Sequence, residues 1–425
     1  NDGPVITQDL VNGLFLSKGY MSGSVTRLER YQQCPFKFYA QYGLKLEPRP
    51  VRSFGAPEIG TFLHANLERL GNYLLENNKQ WRDLDEEEQE NLCRTVADEI
   101  LQENQLGEET SDAYQKAIEQ RVQRTLHVTV DRLVEWSKRS DFDTKYLEQD
   151  FGRQGGWNPI RVPLGEDRYL RLIGQIDRID EYTRDDQTYG MVIDYKSGGA
   201  HVTAQDVYYG LKLQLMTYLL ALESAYGKTH GGSMSPAAVV YSYVKNPKLP
   251  ADAPISYEEA VSLANESDAW QNSGYFSDDI ELLTHIDNKF LSYGSKRGPY
   301  VPIATKKDQT ISSRDLRKVK STGEFDVMCR YTNHVMAETG RHIGKGQFPI
   351  KPYQLNGLRP CTFCDYRTVC RFDSSRNRYN YLSRLSENDA LERMKEVLND
   401  RNNSNEGNNS NDRNNSSEGG EDHGC

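Results

Sequence analysis

Gly174-Gln175-Ile176-Asp177 and Met191-Val192-Ile193-Asp194-Tyr195-Lys196 are the stretches whose reading decides the fold. Each is a short, β-rich run carrying a carboxylate at or near its end, and the polar turn Arg184-Asp185-Asp186-Gln187 lies between them. The pattern predicts a hairpin of Tyr169–Glu181 with Tyr189–Lys196. Alternate residues of a strand share a face, so Asp194 and Lys196 project from one side, and pairing brings Asp177 near Asp194. Two carboxylates so close repel each other unless a cation lies between them, and oxygen ligands of this kind suit Mg2+ or Mn2+. A lysine two residues from such a carboxylate can position or help deprotonate a water and offset charge in the transition state. Asp-x-Lys by itself is also what a strand-end turn beside a solvated cation looks like. The apolar run before it and the upstream Gly-x-Ile-Asp strand favour the metal reading.

Working outward, Ser24 opens a helix whose apolar face begins at Leu28 and Tyr31. A second helix spans about 60–75, with Phe62, Leu63, Leu67, Leu70 and Leu74 at helical spacing. Residues from about 86 to 139 read as further helices. After the hairpin come a helix over about 204–226 and a strand over 237–244, so helices and strands alternate as in an α/β core. The stretch 80–145 reads as a helical insertion and 246–325 as a second insertion with little regular pattern. Residues 1–22 read as a linker from an upstream region, since the chain starts at Asn1 and not at Met. The Asn/Ser/Gly-rich tail, 396–425, reads as disordered.

The chain has 425 residues, a net charge of -10 and no apolar run near the roughly 18 residues that span a bilayer. Neither membrane insertion nor secretion is expected, and a cytoplasmic setting fits. The acidic total hides an uneven distribution. Trp81–Thr110 holds eleven acids against two arginines, whereas Lys296–Arg371 holds fifteen Lys/Arg against six acids. The second stretch could track phosphates or could be a solvated face. No Gly-x4-Gly-Lys-[Ser/Thr] occurs, and Gly344-Lys345-Gly346 is not a phosphate loop, so no ATP site of that type is expected.

Two further elements bear on the acidic pair. His64, in Gly60-Thr61-Phe62-Leu63-His64, is the polar member of an otherwise apolar helical pattern; a lone histidine there can equally be a satisfied core residue. Gln214 and Tyr218 stand four apart on the helix after the Asp-x-Lys strand, so one amide and one phenol interrupt an apolar face. In order and spacing, Gly60–His64, Gly174–Asp177, Asp194–Lys196 and Gln214–Tyr218 resemble the Gly-x-x-x-His, Gly-x-x-Asp, Asp-x-Lys and Gln-x-x-x-Tyr motifs of RecB-type nucleases. The resemblance implies a PD-(D/E)XK, restriction-endonuclease-like core, a mixed sheet flanked by helices. It also implies that His64, Asp177, Asp194 and the Tyr195 carbonyl ligate Mg2+ (or Mn2+), with Lys196 catalytic and Gln214 and Tyr218 in the active site or on DNA.

Cys361, Cys364 and Cys370 lie within ten residues, the clustering that a metal site needs. Cys34, in a Cys-Pro step among aromatics, is the best candidate for a fourth ligand. Cys93 and Cys329 read as core thiols. Spacing alone leaves zinc and iron–sulfur open. One cysteine before the core and three after it resemble the AddB-type subunits of bacterial helicase–nuclease complexes, which implies a 4Fe-4S cluster stapling the two ends of the domain. The same resemblance implies a DNA exonuclease acting on the 5′-ended strand in double-strand-break repair, as a heterodimer with an AddA-like helicase–nuclease partner. Stand-alone cluster-bearing nucleases of CRISPR adaptation or exonuclease V type are the alternative family members. A non-catalytic, cysteine-stapled DNA-binding scaffold is the non-enzymatic alternative.

Overall fold

The computed structural model describes residues 4–17, 19–47, 56–103, 112–165, 167–229, 233–245 and 270–414, together with 256, 259 and 263. The N-terminal elements are α1 (Gln8–Phe15), β1 (Leu16–Ser17), β2 (Tyr20–Gly23), α2 (Val25–Gln33) and α3 (Pro35–Phe38). Helices α4 (Ala56–Glu76), α5 (Glu86–Glu103) and α6 (Asp112–Ser137) precede β3 (Asp143–Phe151), β4 (Ile160–Gly165) and β5 (Arg168–Leu172). Next come β6 (Gly174–Arg184), β7 (Gln187–Lys196), α7 (Ala204–Tyr208), α8 (Gln214–Thr229) and β8 (Met234–Tyr243). The chain closes with β9 (Ser273–Ser277), β10 (Val319–Lys320), α9 (Thr322–Gly344), α10 (Arg367–Cys370) and α11 (Glu387–Asn414).

The central sheet has six strands in the order β10-β9-β8-β7-β6-β3. Its middle pair, β7 and β8, is parallel and is joined by α7 and α8, whereas β3, β6 and β7 run antiparallel in sequence. Strand parity divides the core into two layers. Val192, Val239 and Tyr275 face α8, α9 and the start of α11. Met191, Ile193, Tyr195, Val240 and Phe276 face α4, α5 and α6. A mixed sheet with helices on both faces is the expected α/β architecture.

Several boundaries differ from the sequence reading. The run read as one strand over 169–181 is two. Strand β5 ends at Leu172 and belongs to a separate four-stranded sheet, β1-β2-β5-β4, while β6 starts afresh at Gly174. The helix expected over 204–226 is broken, because Gly210 adopts φ +69° where a Cβ would strike Gln32 and Val335. The described residues within 1–22 are not a free linker. Helix α1 buries Val11, and β2 pairs parallel to β5. The second expected insertion contributes β9 and β10 to the central sheet; much of 246–269 lies outside the described residues. The tail reading is also revised. Helix α11 buries Ala390, Leu391 and Met394 against the core and continues helical to Asn414, with 415–425 outside the described residues. No helix among the described residues is long and apolar enough to cross a membrane.

Candidate active site

Two glycines bring the acidic strands to their neighbours. Gly174 lies opposite Phe151, and a Cβ there would come within 2.5 Å of that buried ring, so β3 and β6 approach closely only because the residue is glycine. Gly60 lies where a Cβ would come within 3.0 Å of Ser197 Oγ, which sets the start of α4 against the turn after Lys196.

These approaches align three acids across three strands. The pairs Leu147↔Arg178 and Gln149↔Ile176 bracket Glu148 and Asp177 on β3 and β6. One step past the pair Arg178↔Ile193, Asp177 stands beside Asp194 on β7. Like charges directly opposite one another destabilise a sheet. Here Asp177 is 8 % exposed and Asp194 1 %. Burial holds both carboxyls well above the usual carboxylate range; Asp177 raises Asp194 further, and Glu148 raises Asp177 against the opposing pull of His64.

His64, from α4, completes the cluster. Its Nε2 lies 3.0 Å from the Tyr195 carbonyl oxygen, and a proton there leaves the lone pair on Nδ1. Nδ1 lies 3.4 Å from Asp177 Oδ2 and 3.9 Å from Glu148 Oε1. Ligand atoms of His64, Glu148 and Asp177 all lie within 4.8 Å of one another, a separation that one divalent cation can bridge. Burial alone would lower the His64 pKa; Glu148, Asp177 and Asp194 outweigh it and raise the value. The donor set of imidazole and carboxylates around buried negative charge fits a hard or borderline divalent ion. Asp177 Oδ2 also accepts the Tyr195 N–H at 2.7 Å, which ties the two strands together at the site.

On the adjoining side, Lys196 Nζ pairs with Asp194 Oδ2 at 2.5 Å and pulls the Asp194 carboxyl down against burial. It donates at 3.2 Å to Gln214 Oε1, and Gln214 Nε2 donates at 2.9 Å to the Tyr218 hydroxyl. The expected residues His64, Asp177, Asp194, Tyr195, Lys196, Gln214 and Tyr218 therefore meet in one place. The residue missed is Glu148. It sits on a strand absent from the sequence reading, at φ +44°, a left-handed conformation that short-range patterning does not signal.

If Glu148 helps hold the cation, Glu148→Gln lowers Mn2+ affinity about 10- to 100-fold in calorimetric titration. An unchanged affinity would restrict the site to His64 and the aspartates.

The four cysteines named from the sequence also meet. Cys34, Cys361, Cys364 and Cys370 line one small cavity with Phe36, Ile350, Tyr366 and Phe372 among its walls. All four are free thiols. The Cys34 thiol is pushed up to about 11 by burial, with Cys361 adding to the shift. Four thiols lining one cavity fit a thiolate-bound metal or cluster and leave its identity open. Cys93 and Cys329 are buried in helices elsewhere. The basic 296–371 stretch is not one continuous face. Arg297 and Lys318 neutralise Asp315, and Lys320 is buried beside Glu387, while Lys351, Arg359, Arg367 and Arg371 stay exposed near the cysteines.

Residues 22–371 match the family model of the PD-(D/E)XK nuclease superfamily. The chain belongs to that superfamily. It is thus a nuclease, a hydrolase by class. Curated proteins that it resembles include several named as the B subunit of an ATP-dependent helicase/deoxyribonuclease. It is 30 % identical to that of Ruminiclostridium cellulolyticum over 88 % of this chain and 32 % of the relative. Identity is 31 % with the Clostridioides difficile protein, over the same shares of the two chains. With the Bacillus cereus protein it is 33 %, over 89 % of this chain and 32 % of the relative. The chain therefore spans about a third of the length of the curated relatives it matches.

Proposed function

We propose that this superfamily member hydrolyses DNA phosphodiesters with a divalent metal, Mg2+ or Mn2+, as the nuclease part of a helicase–nuclease subunit. The observation that carries the reading is the row Glu148–Asp177–Asp194 across three adjacent strands, with His64 closing it at one end and Lys196 at the other. His64, Glu148, Asp177 and Asp194 would hold the ion, with the Tyr195 carbonyl as a further oxygen donor. When bound, the ion supplies Lewis acidity toward a phosphoryl oxygen and lowers the pKa of water.

The chain's own residues supply the rest. Lys196, steadied by Gln214, aims its Nζ at the edge of the site, where it can orient an attacking water and offset negative charge gathering on the phosphoryl group. Water oxygen bonds to phosphorus as the ester P–O bond breaks, and the departing oxygen takes a proton. Tyr218 holds Gln214 in register through its hydroxyl. The names of the relatives support action on DNA with a partner helicase subunit. We read the strand attacked as the 5′-ended one, in double-strand-break repair in the bacterial cytoplasm, and the four thiols as ligands of a 4Fe-4S cluster.

The test is the full-length protein, with its partner where one co-purifies, acting on end-labelled single-stranded DNA with and without Mg2+. Degradation is expected only with the ion, and Lys196→Ala is expected to lose it while keeping DNA and metal binding. Full cleavage by Lys196→Ala would overturn the role given to Lys196, and DNA binding by wild type without Mg2+-dependent cleavage would favour a scaffold that binds DNA without cutting it.

A further inference from the structure

Helix α8 begins at Gln214, whose side chain faces Lys196, so wherever that helix starts, the amide partner of Lys196 is placed. The first N–H groups of any helix lack intrahelical partners and need an oxygen from elsewhere. Leu213, the residue before α8, has an aliphatic side chain that offers none. The oxygen comes from α2, far away in sequence. Glu29 Oε1 accepts from the Leu213 N–H at 2.6 Å and from the Gln214 N–H at 3.2 Å. The need for it arises just upstream, where Gly210 turns the chain through φ +69° and severs α7 from α8. Helix α8 is thereby released from the one before it and must be seated by something else.

We propose that Glu29 is a positioning residue that seats α8 and, through it, the Lys196–Gln214–Tyr218 chain; the proposal rests on the nuclease reading above. A carboxylate at a helix N-terminus also meets the positive end of the helix dipole. Burial raises the Glu29 pKa to about 7 against the two N–H donors and the charges of Lys196 and Lys212. A carboxyl kept in so unfavourable a place is consistent with a directional task. The hydrogen bonds run from the start of α8 to Glu29, from Gln214 to Tyr218, and from Lys196 to Gln214. None passes through His64, Asp177 or Glu148, and the chain meets the metal ligands only where Lys196 pairs with Asp194, so loss of Glu29 should disturb the lysine side of the site and change metal binding little.

The experiment compares wild type, Glu29→Met, Glu29→Gln, Gln214→Ala and the Glu29→Met/Gln214→Ala double variant in the full-length protein, with its partner where one co-purifies. Methionine keeps the volume and removes both acceptors; glutamine keeps one. Single-turnover and steady-state hydrolysis of a labelled oligodeoxynucleotide are measured with Mg2+, alongside Mn2+ affinity and thermal unfolding. Glu29→Met is expected to lower kcat about 10- to 100-fold, the scale of a displacement near 1 Å in an active site. Its KM and Mn2+ affinity should stay within about twofold, and Glu29→Gln should recover most of kcat. The double variant should be no worse than Gln214→Ala by more than about twofold, because both changes break one chain.

Unchanged kcat in Glu29→Met, or losses that multiply in the double variant, would overturn the proposal. If Glu29→Met unfolds, a Glu29→Gln variant that folds yet shows the full kcat loss would overturn it too. Absence of Mg2+-dependent hydrolysis in wild type would instead remove the nuclease reading, so the two failures are distinguishable.

Discussion

Asp194→Asn is expected to cut metal-dependent DNA hydrolysis by about a hundred- to a thousandfold, the scale of losing a preorganised electrostatic group at the reacting centre. The same change is expected to make the metal-free protein more stable, and the two signs together make the prediction specific. Asp194 is 1 % exposed and faces Asp177, so burial and then that neighbour raise its pKa to about 7. In the unfolded chain the carboxyl ionises near 3.8. Between about pH 4 and 7 the folded state therefore holds a proton that the unfolded state has released. The stability this proton contributes is full below about 4 and is lost as pH rises through the folded value. Above neutrality the native metal-free site carries two adjacent buried charges. Asparagine removes one of them, so its thermal midpoint should exceed wild type by a few degrees at pH 8 and by nothing at pH 4. Bound Mn2+ should reverse the order at pH 8, because the ion stabilises only a site that retains its ligands. At pH 5.5 the ion should add little to either protein. An Asp194→Asn protein that cuts DNA normally, or that melts below wild type at pH 8 without metal, would contradict the assignment.

Serine at Cys34 or at Cys361 should have the largest structural effect of any single change considered for this chain. Cys34 lies where α2 gives way to α3, and Cys361 lies in the segment after α9, so a centre bound by both pins the two ends of the domain together. With iron and sulfide in place, each variant should lose iron, sulfide and visible charge-transfer absorption. It should also lose several kcal/mol of stability, on the order of what a long closed loop contributes. The segment around 351–382 has few other anchors. Tyr366 donates to the Leu46 carbonyl at 3.0 Å, but Phe363 is 91 % exposed and Val369 54 %. Limited proteolysis should therefore cut first in that segment. Cys93→Ser and Cys329→Ser should leave colour and iron content alone, since both thiols are buried elsewhere. Stoichiometric zinc in a colourless wild type would replace iron–sulfur and keep the staple; neither metal in the purified protein would remove it.

What could be read from the residues was mostly what repeats at short range. The hairpin, the helical stripe around His64 and the Gln214–Tyr218 spacing depend on periodicity within about ten residues, and each lies in an element of the expected kind, although the first hairpin strand starts at Gly174 and not at Tyr169. The break at Gly210 was not legible, because the clash that requires glycine comes from Gln32 and Val335, far away in sequence. The second sheet escaped for a similar reason. Strands β2 and β5 pair across the whole helical region, and nothing in Tyr20–Gly23 announces a partner near Tyr169. Glu148 shows the limit most clearly. Its strand breaks the alternating pattern with a register shift after Thr144, and its importance comes from facing Asp177 on the neighbouring strand β6. The acidic α5 was legible as a helix; its Glu99 and Glu103 pair with Arg69 of α4, which accounts for part of the charge run.

The separation of Cys34 from Cys361 along the chain also has a consequence in time. At about 5–20 residues per second of synthesis, Cys34 leaves the ribosome on the order of tens of seconds before its three companions exist. During that interval neither zinc nor an iron–sulfur cluster can find its full ligand set, and the first thiol must wait beside Phe36 and Lys37. Nearly all of the sheet can form before the staple closes. Filling such a centre would thus follow formation of the core strands, and if the centre is an iron–sulfur cluster, a cell short of iron is expected to accumulate chains with a formed nuclease core and an open segment around Cys361–Cys370.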